Sequence, residues 1–440
     1  MKENIELQNL KFEEINEGYT FPEAFAEANR CLNCKNPLCV TGCPIEHNIP
    51  GFIQQLSKGN IGNAMEIISE KSSLPAICGR VCPHEKQCEG HCILNKKAAP
   101  IRVGKLERFI ADFDEEMNLS REKLQPKTRG RVAVIGSGPA GLTVAGDLAR
   151  QGFNVIIYEK EQELGGVLMY GIPEYRLPKE VVRREIDKIS ALGVTFMKNC
   201  MIGTDITIDQ LLERGIDAVF IGSGTAIPKS LDTPGHDLKG VIQSSYFLRT
   251  VSLYNNRSLG KDEVPIKVGD RVGIIGAGNV AMDAARTAVR LGAESVTVFY
   301  HRGEEDMPAL KTEYHEAVEE GVEFSFFSSV KKFTGEKGLL KAVEVQTPDG
   351  EITMPMDKVL LAIGSRPANR IVSTTSGIDV DDTGYVITKE RPYGMTSRKG
   401  VFAGGDVVHT PQTVVLAMRE AKNVVKGIAQ YIDAKKLLEE

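Results

Sequence analysis

Hydrophobic positions along the chain fall into three stretches of different period. In the first, to about residue 125, apolar side chains recur at helical spacing in segments such as FPEAFAEANR (21–30) and IGNAMEIISEK (61–71). This stretch ends in the polar segment REKLQPKTRG (121–130), which predicts a linker and a domain boundary. Beyond it, the short β-branched runs RVAVIG (131–136) and NVIIYEK (154–160) flank a glycine-rich turn and a helical pattern, the βαβ alternation of a parallel sheet. A second such unit begins at RVGIIGAGN (271–279) and continues into SVTVFYHR (295–302). After it come the strands VLLAIG (359–364) and GVFAGGD (400–406) and a last helix over 413–432. No repeat of solenoid period and no low-complexity tract interrupts this order.

Both glycine-rich turns carry chemistry. Gly136, Gly138 and Gly141 form G-x-G-x-x-G directly after a strand and opening a helix. The first glycine makes the tight turn, the second lets backbone approach a pyrophosphate, and the third allows close helix-to-strand packing. The helix N-terminus then turns its partial positive charge toward the phosphates. Glu159, about 20 residues on at the end of the next strand, is placed to accept hydrogen bonds from an adenosine ribose. The second turn has Gly276, Gly278 and Ala281, and its second strand ends in His301 and Arg302 in place of an acid. Donors at that position suit a 2′-phosphate, so NADP(H) is preferred to NAD(H). The acidic run Glu304, Glu305, Asp306 opposes this unless it is a solvated loop turned away from the nucleotide.

Eight of the nine cysteines lie between Cys31 and Cys92. One set is Cys31, Cys34, Cys39 and Cys43 followed by Pro44; the other is Cys78, Cys82, Cys88 and Cys92, with Pro83 after Cys82. In a long chain without a signal-like N-terminus, such density reads as metal or redox chemistry rather than as a disulfide scaffold. Four thiolates suit zinc as well as iron. Two nucleotide sites supply electrons, however, and two [4Fe-4S] clusters give them an exit. His84 and His91 stand among the cysteines as lesser candidates, and Cys200 reads as a small buried apolar residue. A zinc-stabilised, non-catalytic assembly module is the reading from another class. A disulfide reductase is a third, with Cys31 and Cys34 as its only C-x-x-C pair.

Length and composition set bounds on these readings. At 440 residues the chain has room for about three domains. A net charge of −5 offers no basic surface for nucleic acid, and no apolar run reaches the length of a membrane span. The expected location is the cytosol.

The motifs CLNC (31–34), CGRVCP (78–83), PIRVGKLERF (100–109), VIGSGPAGL (134–142), YGIPEYRLPKE (170–180), GAGNVAMDAARTAVRLGA (276–293), MPA (307–309) and VFAGGD (401–406) follow one another in order. In this the chain resembles the small (β) subunit of NADPH-dependent glutamate synthase. It is similar also to the NADPH-binding large subunit of the electron-bifurcating ferredoxin:NADP transhydrogenase and to the N-terminal half of dihydropyrimidine dehydrogenase. The likeness spans about residues 15–430. It implies an α/β chain in which a helical domain with two [4Fe-4S] clusters precedes two Rossmann-like domains, the second inserted in the first. The expected boundaries are 1–125 for the iron-sulfur domain, 126–255 and 356–440 for the FAD domain, and 256–355 for the NADP(H) domain.

The resemblance implies FAD on Gly136, Gly138, Pro139, Ala140, Gly141, Glu159, Lys160, Gly166, Val167, Gly224, Gly405, Asp406 and Thr413. It implies NADP(H) on Gly276, Gly278, Asn279, Val280, Ala281, His301 and Arg302. Cys31, Cys34, Cys39 and Cys92 would hold one cluster; Cys43, Cys82 and Cys88 would hold the other. Its fourth ligand is Glu107 by the resemblance and Cys78 by the logic of ferredoxins. The implied activity is hydride transfer between NADP(H) and FAD, then single electrons through the clusters to a partner. That partner is a glutamate synthase large subunit, or a flavin or iron-sulfur subunit using ferredoxin or NAD. No glutaminase or FMN-barrel portion is visible, so the chain alone is not expected to make glutamate.

Overall fold

The structure, a computed structural model, describes residues 12–119, 124–410 and 413–439. The expected linker therefore lies partly outside the described residues, as does part of the loop before the last helix. The chain divides into two compact units. The smaller takes residues 12–15 with Tyr170–Pro178 and Pro228–Ser365; the larger takes Asn16–Met169, Lys179–Ile227 and Arg366–Glu440.

In the larger unit the first stretch is helical as expected. Helices Phe21–Asn29, Ile49–Ser57, Ile61–Ser69, Pro75–Val81 and Val103–Met117 bury Phe52, Ile53, Leu56, Ile68, Leu106 and Ile110 against one another. Their starts are written locally. The Thr20 N–H and hydroxyl both donate to Glu23, and the Asn48 side chain accepts from the Gly51 N–H at 3.1 Å. The helices share this unit with a seven-stranded sheet in which Arg131–Ile135 lies between Asn154–Tyr158 and the central strand Ala218–Ile221. Val401–Ala403 pairs parallel with Ala218–Ile221, so strands from the two separate parts expected of the FAD domain are neighbours in one sheet. The inner strands are almost continuously apolar, the pattern of a parallel sheet covered on both faces.

The smaller unit holds a five-stranded parallel sheet, in the order Val241–Gln243, Lys358–Leu361, Arg271–Ile275, Ser295–Phe299, Glu323–Ser325. An antiparallel meander over Ser329–Glu336, Leu339–Thr347 and Gly350–Pro355 follows. Here the expected boundaries need correction. Val241–Gln243 and helix Ser244–Asn255 were assigned to the FAD domain, and so was VLLAIG; all of them build the second sheet and its cover. The borders move outward to residues 228 and 365. The physical reason is that a parallel strand is delivered by a crossover, so its place in the chain does not name its partner.

The segment Tyr170–Pro178, which its prolines mark only as a rigid loop, is held in the smaller unit by a buried ion cluster. Arg176 reaches both Asp283 oxygens at 2.8 and 2.9 Å and Glu313 at 2.7 Å. Arg286, fully buried, meets Glu313 at 3.2 Å, Glu316 at 2.5 Å and Glu320 at 2.7 Å, and Arg290 also binds Glu320. The Tyr175 ring lies under both guanidiniums, 3.8 Å from Arg290 and 5.0 Å from Arg286. Each charge is compensated, which burial demands. The variant Arg286→Met is expected to lower the unfolding free energy by about 3–5 kcal/mol, because it strands buried carboxylates. Urea denaturation measures this; a loss under about 1 kcal/mol, the value of an exposed pair, would show that water reaches the cluster.

Candidate functional site

The first glycine-rich turn is the meeting point of the larger unit's loops. At Gly136 (φ +95°) an added Cβ would stand 2.8 Å from the Gly222 carbonyl, and at Gly141 it would stand 1.9 Å from the Gly136 carbonyl, so the third glycine does set helix against strand. At Gly138 the same Cβ would meet nothing within 4 Å. That opening is a cradle in which a pyrophosphate could touch backbone, with Pro139 and Ala140 starting helix Pro139–Arg150 beside it. Gly166 and Gly405 both come here: a Cβ on Gly166 would lie 3.0 Å from Gly138 Cα, and one on Gly405 2.9 Å from Ala140 Cβ. Val167, half exposed, opens the short helix beside Gly166, and Gly224 (φ +63°) lies in the turn after Ala218–Ile221.

Other expected FAD contacts have partners in the protein itself. Glu159 accepts from the Ser137 N–H at 2.9 Å and hydroxyl at 2.6 Å through Oε2, and from the Glu161 N–H at 3.0 Å through Oε1. This carboxylate therefore fastens the turn, with lone pairs left for a ribose. Lys160 pairs with Glu161 at 3.7 Å. Asp406 sits in a short 3-10 turn, its carboxyl pushed up to about 6 by burial. Thr413 caps the last helix, Val414–Glu439: its hydroxyl accepts from the Leu416 N–H and its carbonyl from the Ala417 N–H.

In the smaller unit the second turn repeats the pattern. Gly276 has φ +116°, an added Cβ at Gly278 would meet nothing within 4 Å, Ala281 is fully buried, and Val280 is half exposed at the helix start. The Asn279 side chain accepts from the Leu310 N–H at 3.0 Å, and the Ala309 N–H bonds the Ala277 carbonyl, so the MPA loop frames this turn. His301 and Arg302 are exposed just past strand Ser295–Phe299. The acidic run is an exposed 3-10 turn. The Tyr314 hydroxyl donates to Glu304 at 3.0 Å, and Lys311 pairs with Glu305 at 3.9 Å.

The cysteines divide between two cavities of the larger unit. Cys31, Cys34, Cys39 and Cys92 line one of about 470 Å³, walled by Ile49, Ile53, Ile101 and Val103. Cys43, Cys82 and Cys88 line a second of about 330 Å³ together with Cys78, Glu107, His47, His84 and Val415. The sulfurs surround a space instead of meeting at a point; among the described residues no three His, Cys, Asp or Glu side chains gather as a single-metal group. Burial pushes the Cys39 and Cys43 thiols up to about 11, a penalty that binding iron as thiolate reverses. In the second cavity Glu107 Oε1 and both His47 ring nitrogens are buried without hydrogen-bond partners, Nε2 standing 4.0 Å from Oε1. Burial pushes the Glu107 carboxyl up to about 8. Cys78, by contrast, is engaged, its thiol 3.6 Å from Met418 Sδ and 3.9 Å from Ser72 Oγ. Both cavities thus fit an iron-sulfur group on the evidence of their donors.

Sequence reasoning did not single out His47, which no motif marks. His84 was a lesser candidate, and its buried, unpartnered Nε2 lies in the same wall. His91 is exposed and bonded to the Gln87 carbonyl. Cys200 is partly exposed and packs beside the hydrophobic cluster of the first sheet.

Comparison with known proteins agrees with this architecture. Residues 8–119 match the model of dihydropyrimidine dehydrogenase domain II, 4Fe-4S cluster, and residues 130–421 match that of pyridine nucleotide-disulphide oxidoreductases. The class is a flavin- and pyridine-nucleotide-dependent oxidoreductase fold behind an iron-sulfur domain. Mycobacterium tuberculosis FprA shares that fold, with a TM-score of 0.60 at 17% identity over 72% of this chain and 87% of its own. The glutamate synthase (NADPH) small chain of Halomonas elongata is 37% identical over 96% of this chain and 94% of its own length. That of Escherichia coli K12 is 34% identical over 98% and 96%. The chain belongs to the family of NADPH-dependent glutamate synthase small chains.

The two open glycines allow a clean separation of the nucleotide sites. Gly138→Val is expected to fold, because its side chain meets open space, but to retain FAD at about a tenth of wild-type occupancy or less. Gly278→Val should keep full FAD and raise KM for NADPH about tenfold or more. Flavin absorbance of the purified proteins and steady-state kinetics read the two effects; loss of flavin in Gly278→Val would contradict the assignment.

Proposed function

We propose that this chain is the electron-entry subunit of a cytosolic, multi-subunit oxidoreductase, drawing on NADPH and serving a partner of the glutamate synthase large-chain kind. The observation that carries this reading is a continuity within the larger unit. The last helix passes Gly405 and Ala140 at the first glycine-rich turn and lines the second cysteine cavity through Val415, while Ile49 and Val103 wall both cavities. When bound, FAD converts the hydride of NADPH into single electrons and two [4Fe-4S] clusters conduct them outward.

The chain's own residues prepare that chemistry. Gly138 gives a pyrophosphate access to backbone, and the first N–H groups of the last helix, beyond Thr413, offer positive potential to a reduced flavin ring. Apolar side chains of Ile49, Ile53, Ile101 and Val103 form the inner wall of the first cavity. Cys31, Cys34, Cys39 and Cys92 hold one cluster; Cys43, Cys82, Cys88 and Glu107 hold the other. Glu107 is favoured over Cys78 because its Oε1 is buried and unpaired, whereas the Cys78 thiol has partners. Arg302 and His301 supply donors for a 2′-phosphate, with Glu304 and Glu305 engaged elsewhere. Among the described residues no helix is long and apolar enough to cross a membrane, and a thiol-rich domain suits a reducing compartment. The relatives' designation as small chains supports a larger partner.

Anaerobic purification with co-purifying subunits is the test. About eight iron atoms and matching acid-labile sulfide per chain are expected, four for each cluster, with flavin bleaching by NADPH followed by reduced-cluster EPR signals. Zinc in place of iron, and flavin inert to NADPH, would leave only a structural module. A further expectation concerns ligation. Glu107→Ala should change the EPR spectrum of one cluster and leave the other's intact, while Cys78→Ala should leave both spectra as they are. A spectrum altered by Cys78→Ala alone would exchange the two roles.

A further inference from the structure

Between strands Glu323–Ser325 and Ser329–Glu336 the chain turns through Phe326 and Phe327, two aromatic residues with opposite fates. Phe326 stacks on Phe324 at 5.8 Å and contacts Tyr314. Phe327 is 61% exposed and has φ +51°. The other non-glycine residues with positive φ among those described are asparagines and long charged side chains, so Phe327 alone sets a bulky aromatic in the left-handed region. A lone exposed aromatic is ordinary. One held in a backbone conformation that glycine adopts without strain is not, because folding by itself gains nothing from the choice.

The surroundings say what the choice serves. The turn is stitched to the end of the neighbouring strand: Tyr300 N–H donates to the Ser325 carbonyl at 3.0 Å, Ser328 N–H to the Tyr300 carbonyl at 2.9 Å, and Phe327 N–H to the Arg302 carbonyl at 3.0 Å. The ring lies against the backbone of Gly303, where an added Cβ would come within 2.9 Å of Phe327 Cζ. Strands Ser295–Phe299 and Glu323–Ser325 are parallel neighbours, so Arg302 and Phe327 stand side by side past their carboxyl ends. In an open parallel sheet that is the side on which the adenosine half of a dinucleotide binds. An exposed apolar ring beside a guanidinium matches a ligand with a flat base next to a phosphate.

The geometry points to Phe327 as the platform on which the adenine ring of the pyridine nucleotide stacks, with Arg302 and His301 receiving the phosphate beside it. The inference rests on reading the second glycine-rich turn as an NADP(H) site, and extends it to a residue outside every motif. Phe327 thereby contributes to binding the adenosine half, not to the transfer at the nicotinamide.

The test uses the flavin-loaded full chain and the fragment adenosine 2′,5′-bisphosphate, titrated calorimetrically. Base-on-aromatic stacking sets the expected scale, so Phe327→Gly should weaken fragment binding about tenfold to a hundredfold. In turnover KM for NADPH should rise by a similar factor with kcat unchanged. Glycine accepts the backbone conformation, so the melting temperature should hold or rise. Phe327→Trp, which keeps a stacking face, should bind within about threefold of wild type. Fragment binding unaltered in Phe327→Gly, or a lowered melting temperature, overturns the inference, the latter by making the ring a packing residue. Wild-type protein that does not bind the fragment at all instead overturns the NADP(H) reading on which it stands.

Discussion

The larger unit depends on how closely helix Val414–Glu439 approaches its neighbours. Along its length it meets small or backbone surfaces: Ala417 near Gly405, Val424 against Gly394, and Gly427 against the Tyr393 carbonyl, where a Cβ would stand at 2.2 Å. Lys422 binds Asp147 at 2.6 Å, tying this helix to the one that opens from the first glycine-rich turn. Met418, fully buried, touches the Cys78 thiol. One element therefore fixes a nucleotide cradle and a cysteine cavity together. Shifting it would change both, because close-packed interiors transmit displacement instead of absorbing it.

The smaller unit spends its stability differently. Buried charge in the cluster of Arg176, Arg286 and Arg290 is compensated at every step, and the loop carrying Tyr175 is locked by it. Such a cluster gives little net stability over an apolar core but tolerates few alternative packings. At Phe327 the same unit accepts local backbone strain at its surface. A rigid frame is what allows that, since strain persists only where the surroundings over-determine the conformation.

Much of this was legible in the sequence because it is local. The strands RVAVI and NVIIY, the intervening turn and the capped first helix all follow from residues within a few positions of one another. The family likeness implied a division of the cysteines that spacing alone left open; the two cavities are lined by the same two sets, with Cys78 added to the wall of the second. What the sequence hid was long-range. Lys358–Leu361 pairs with Val241–Gln243, more than a hundred residues earlier, and no periodicity reports such a partner. Tyr175 and Arg176 sat in a stretch whose prolines said only that it was stiff, although their side chains fix its place. His47 lacked any motif, and a positive φ at a phenylalanine leaves no trace in composition.

The two cysteine cavities differ through one turn of helix. Val103 and Glu107 lie four residues apart on Val103–Met117, hence on the same face. Val103 walls both cavities, whereas Glu107 belongs to the second alone. The first cavity is consequently four thiols in an apolar, partly open shell, with Leu32, Leu38 and Ile93 exposed around it. The second is four thiols, the engaged one of Cys78 among them, with a carboxyl and two buried imidazoles with unpaired nitrogens. Net charge, hydrogen bonding and solvent exposure are the quantities by which a protein sets a cluster's potential, and all three differ between the cavities. Clusters held in them would therefore differ in potential. The more polar cavity lies beside the helix that passes the first glycine-rich turn, and the more accessible one carries an exposed apolar rim.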